Sequence, residues 1–194
     1  GSLHFFEETI HHWNGQNHDA SEQVPCTLVM RELVAVALAA FLDPHAYGRQ
    51  RTRHHAPTTA SGERIYAHTT TGEFFRRAEA NVGDDKQLVS FDMFYDETVI
   101  ESNGKRYKPF VLVNNHLPVA EKKKKSNWWL VALVEITTYA TTELGRTQAA
   151  KRSRADKHRA VLARLKRELY GSVGTAGRAV VDINRDPAIL VPTW

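Results

Sequence analysis

An acidic pair, Asp96-Glu97, follows directly on the apolar run Leu88-Val-Ser-Phe-Asp-Met-Phe-Tyr95. A carboxylate where an apolar strand meets water is placed to hold Mg²⁺ through oxygen. With two such ions, a nucleophile and a leaving group can be aligned for phosphoryl transfer. The bland alternative is a pair of turn acids at the water boundary. Side chains alternate along a strand, so Asp92 and Asp96 share a face, about 13 Å apart at roughly 3.3 Å per residue. One ion cannot take both, and Asp96 is the candidate catalytic residue and metal ligand. Asp92 lies deeper and needs a partner of its own, an arginine or a tyrosine hydroxyl.

A second kind of chemistry is electrostatic. Residues 1–43 hold six acids against one base, Arg31, so the rest of the chain carries the basic excess behind a net charge of +4. Such asymmetry points to a polyanionic partner such as a nucleic acid. The candidate phosphate contacts fall in three groups. They are Arg49, Arg51 and Arg53; Lys123 and Lys124 within the run Lys122–Lys125; and Arg154, Lys157, Arg159, Arg164 and Arg167. Trp13, Trp128 and Trp129 could stack on bases, although one of the adjacent pair must also fill core. Each charge run equally suits a solvated face, and a protein partner is the other reading of the same surfaces.

Other site chemistries find little purchase. Cys26 is the only cysteine, so no internal disulfide can form, which fits an intracellular, reducing compartment. His11, His12 and His18 with Cys26 match no zinc spacing. His54-His55 sits among arginines that would repel a metal. No G-x-S-x-G is present, and Gly171, Gly174 and Gly177 lead into a strand without the Lys-Ser/Thr of a phosphate-cradling loop.

The elements that must position these residues follow from periodicity and turn chemistry. Leu3, Phe6, Ile10 and Trp13 recur at helical spacing and predict a helix over 3–13. A second helix is predicted over 27–43, apolar nearly all round and ended by Asp43-Pro44. The ten-residue run Leu33–Leu42 is too short for a membrane span, which needs about 20. Residues 44–61 read as an exposed basic loop, and Gly72-Glu73 opens a short helix with Phe74, Phe75 and Ala78 inward. Three strands follow, over 87–100, 107–115 and 128–136. The first two turn at Asn103-Gly104, a strong hairpin signal. A basic helix over 153–170 carries His158, Val161, Leu162, Leu165 and Leu169 on one stripe. Two short strands, 178–183 and 189–194, close the chain, with Asp182 and Asp186 as turn residues. The organisation read from this is a helical segment, 1–85, leading into a sheet-bearing domain, 86–194.

The order of several short motifs adds a resemblance. Arg31-Glu-Leu-Val-Ala-Val-Ala-Leu-Ala-Ala-Phe-Leu-Asp43, Arg64-Ile-Tyr66, Gly72-Glu-Phe-Phe75, Tyr95-Asp-Glu-Thr98, Pro109-Phe-Val-Leu-Val-Asn-Asn115 and Leu117-Pro118 stand in that sequence. This resembles fungal cut-and-paste transposases of the Plavaka kind, over most of residues 28–194. Glu32-Leu33 departs from that family's Asp-Pro, and Glu97 stands where Lys is common. The resemblance implies an α/β fold: the N-terminal helical segment plus a partial ribonuclease H-like sheet. In that sheet an antiparallel three-strand meander is followed by a basic helix and further strands. It also implies Asp96 as first ligand of a weakly held Mg²⁺, phosphodiester cleavage and strand transfer as the ancestral chemistry, and a nuclear setting. The family's second acid is expected after Trp194, so the chain reads as a truncated or domesticated piece without turnover of its own. The alternative is a recruited, non-catalytic binding module for protein or nucleic acid.

Overall fold

A computed structural model describes residues 3–13, 23–82, 87–95, 99–102, 104–136, 148–170, 178–183 and 186–193. The fold is mixed α/β. Eight strands among the described residues form one sheet: β1 (Phe6–Trp13), β2 (Gln23–Met30), β3 (Gln87–Tyr95), β4 (Ile100–Ser102), β5 (Lys105–Asn114), β6 (Trp128–Glu135), β7 (Arg178–Ile183) and β8 (Asp186–Thr193). The order across it is β1-β2-β6-β5-β3-β8-β7, with β4 paired to β5.

The meander expected over 87–136 is present. β3 and β4 pair antiparallel with β5, and β5 with β6. Ser102 pairs with Lys105, and Gly104 between them has φ +72°, the left-handed conformation that a tight hairpin requires. A register shift between Phe110 and Val111 marks a bulge against β6. β8 lies on the other side of β3 and runs parallel to it, Asp92 opposite Thr193.

The N-terminal region departs from the expected helices. Residues 6–13 are strand β1, paired antiparallel to β2 in full register from Phe6↔Met30 to Trp13↔Gln23. Leu3 and Phe6, half of the apparent helical stripe, lie exposed, while Ile10 and His12 are buried at strand spacing. Residues 27–30 likewise belong to β2, whose Cys26, Leu28 and Met30 alternate inward. β2 then docks on β6 through Leu28↔Val134 and Met30↔Ala132, so the sheet runs across residue 86.

Helix α1 therefore starts at Leu33 and ends at Leu42. Glu32 makes no side-chain cap bond there. The Leu33 N–H instead donates to Glu168 Oε2 at 2.6 Å, a carboxylate brought by helix α5 (Gln148–Tyr170). That carboxylate satisfies one orphan N–H of the first turn and suits the positive end of the helix dipole. Short helices α2 (Pro44–Tyr47), α3 (Glu73–Val82) and α4 (Val119–Lys122) complete the set.

Alternation in β3 divides the packing. Val89 and Phe91 face a main core made with Val36, Phe41, Val161 and Leu165 from α1 and α5. Leu88 faces the other way, onto Phe75 and Val82 of α3. Phe74, expected inward, is 57% exposed: Leu88 receives the side of α3 that carries Phe75 and Val82.

Candidate nucleic-acid interface

α5 buries Val161 and Leu165 and leaves Arg154, Arg159 and Arg167 exposed, as its stripe predicts. Two of its five candidate contacts are used internally. Lys157 is 6% exposed and donates to the Glu135 carbonyl at 3.0 Å, beside the buried Cys26 thiol. Burial is the main cause that lowers the Lys157 pKa, and the same burial raises that of Cys26. Arg164 donates through Nε to both Glu8 oxygens, at 2.8 and 2.6 Å, and through Nη1 to Glu168 at 3.0 Å. It thereby ties β1, α5 and the start of α1 together. Neither side chain is presented to a polyanion.

The other two groups meet elsewhere. Arg49 Nη1 and Lys124 Nζ both reach Glu121, at 3.1 and 2.6 Å. Lys123 is exposed beside them. Arg53 pairs with Glu79 of α3 at 3.4 Å. Arg51 is held by its backbone: its N–H donates to the His116 carbonyl at 2.8 Å, and its carbonyl accepts from His116 Nδ1 at 2.9 Å. Residues 49–53 are thus pinned to the turn after β5. The tertiary structure therefore splits the basic residues into two surfaces, because α5 and α3 pack on opposite faces of β3.

His116 is the anchor of the second surface and carried no signal in the sequence beyond its place after β5. It is fully buried, edge-on to Phe41 and Phe75 with ring centroids at 5.2 and 5.6 Å. Its Nε2 accepts from the Ser90 N–H at 2.9 Å, so the ring is the neutral Nδ1–H tautomer. Burial holds its pKa down at about 4; His68 and Lys122 push the same way, against the Arg51 carbonyl. His68, lowered chiefly by burial, accepts at Nδ1 from the Thr70 N–H and donates from Nε2 to the Leu117 carbonyl at 2.5 Å.

Next to it, Asp92 is partnered by an amide and a lysine. Asn115 Nδ2 donates to Asp92 Oδ1 at 2.8 Å. Lys122 Nζ donates to Asn115 Oδ1 at 2.6 Å and to Thr69 Oγ1 at 2.7 Å, and lies 3.8 Å from Asp92 Oδ2. Desolvation lowers the Lys122 pKa and Asp92 opposes it. Asp96 and Glu97 lie outside the described residues; β3 runs to Tyr95, whose ring meets His158 of α5 at 4.3 Å. Trp128 packs edge-on to Phe94 at 5.0 Å and its indole N–H donates to the Lys122 carbonyl, while Trp129 packs against the main core.

Among the described residues, no three His, Cys, Asp or Glu side chains gather as a metal site, and no helix is long and apolar enough to cross a membrane. Comparison with known proteins finds no matching family model, no matching curated relative and no matching solved structure.

Proposed function

We propose that the chain is a transposase-derived, DNA-handling domain built on a partial ribonuclease H-like sheet. The observation that carries the reading is the placement of β8. The resemblance expects a meander, then a basic helix, then a strand leading to the family's second acid. β8 follows α5 and lies parallel to β3 on the side away from β5, so the two strands end next to one another. An acid just past β3, the position of Asp96, would then neighbour an acid just past β8.

The described residues on this face do not fit a divalent cation. Asp92 is taken by an amide donor and stands beside an ammonium, whereas Mg²⁺ asks for converging oxygens. Asp96 remains the proposed ligand, and the role proposed for the chain is to bind and present DNA. The exposed arginines of α5 would supply the phosphate contacts, with Arg154 one turn from His158, which packs on the last residue of β3.

Fluorescence anisotropy with a labelled duplex tests this. Arg154→Ala, Arg159→Ala and Arg167→Ala together should weaken binding and flatten the log K against log salt slope by roughly 2–3. Unchanged affinity and slope would make α5 an ordinary solvated face and refute the reading. Calorimetry with Mg²⁺ separates the metal-free alternative: heat that Asp96→Asn leaves unaltered favours a binding module.

A further inference from the structure

The second basic surface holds large exposed aromatics. Tyr66 is 66% exposed and Phe74 57%. Between residues 49 and 79 stand six arginines against three glutamates, with no lysine or aspartate.

One carboxylate organises much of that charge. Glu73 accepts from Arg76 and Arg77 of its own helix, and Arg64 reaches it at 3.5 Å. Arg76 first and then Arg77 hold its carboxyl down at about 2. Three guanidinium groups around one carboxylate leave a net positive cluster. Arg64 also donates to the Thr71 carbonyl at 3.1 Å, and its guanidinium carbon lies 4.9 Å from the Tyr66 ring centroid. The ring is therefore set in place while two-thirds of its surface stays in water. Phe74 follows Glu73 directly at the start of α3. On the same helix, Arg76, Glu79 and Ala80 line an open groove of about 440 Å³ with Arg53 on its far wall.

Exposed aromatics among clustered arginines suit unpaired bases. Each base offers a face for stacking, and the backbone offers phosphates at regular intervals. Duplex DNA hides its base faces and would leave both rings in water. We propose that this surface binds single-stranded DNA, with bases stacked on Tyr66 and Phe74 and phosphates taken by Arg53 and Arg76. The proposal rests on the DNA-handling reading and adds the strand form that this surface takes.

Anisotropy with the full chain and three labelled probes tests it: a 12-nucleotide oligo(dT), an abasic oligomer of equal length, and a 20-base-pair duplex. Oligo(dT) should bind more tightly than the abasic strand. Tyr66→Ala and Phe74→Ala should each weaken oligo(dT) binding by roughly 5- to 150-fold, the range that loss of one stacked base implies. Duplex binding should stay unchanged in both, and Tyr66→Trp should keep oligo(dT) affinity. Both side chains are exposed, so the variants should melt like the parent. Equal affinity for oligo(dT) and abasic strand, or insensitivity to both alanine substitutions, overturns the proposal. Duplex binding that persists in that case leaves the reading of α5 standing. Binding to no probe removes both and leaves the surface for a protein partner.

Discussion

Protonation of His116 should cost the fold a defined amount of stability. The folded ring titrates near 4 against an ordinary value of 6.5. Between those values the unfolded chain binds a proton that the folded chain refuses, so stability rises with pH across that window and falls as pH drops through it. The contribution is complete above pH 6.5 and gone below pH 4. A difference of about 2.5 at ~1.36 kcal/mol each is roughly 3 kcal/mol. The structural cause is twofold. An imidazolium would sit dry between Phe41 and Phe75, and its second N–H would face the Ser90 N–H that now donates to Nε2. Urea unfolding at pH 7.5, 6.5, 5.5 and 4.5 measures the slope. His12 and His68 are also shifted down, mainly by burial, and add slope of the same sign. The difference between the parent and His116→Gln isolates His116. Equal slopes in the two proteins would refute the argument. So would ring nitrogen NMR of the parent showing His116 titrating near 6.5, a readout that survives if the glutamine variant fails to fold.

Arg164→Ala should destabilise the protein by about 1–3 kcal/mol, since it strands the partly buried carboxylates of Glu8 and Glu168. Arg159→Ala, on the exposed face of the same helix, should stay within about 0.5 kcal/mol by the same denaturation. Gly104→Ala should cost about 1 kcal/mol through the positive φ alone, because nothing lies within 4 Å of the added Cβ. Gly104→Asn should recover part of that loss, which thermal unfolding would show.

The sequence by itself determined the elements whose signals are local. Three apolar runs with short connections, β3, β5 and β6, and the Asn-Gly signal read before β5 define the meander, because strand composition and turn chemistry act between near neighbours. The stripe of α5 was legible for the same reason, down to the burial of Val161 and Leu165. The β1–β2 hairpin was not legible. Leu3, Phe6, Ile10 and Trp13 fit a helical template, and the strand was selected by pairing with β2, itself docked on β6 far along the chain. The start of α1 was likewise set by Glu168 from another helix. The candidate site divided along the same line. Residue type marked Arg154, Arg159 and Arg167 as candidate phosphate contacts, but not that Lys157 and Arg164, on the same helix with the same charge, would be consumed by Glu135 and Glu8. Nor did it mark His116, or the arginines that gather on Glu73 beside Tyr66. Spacing fixes which way a side chain points from its own element. What stands opposite, and hence whether a charge is neutralised, buried or offered to a ligand, depends on contacts between segments that only the packed sheet brings together.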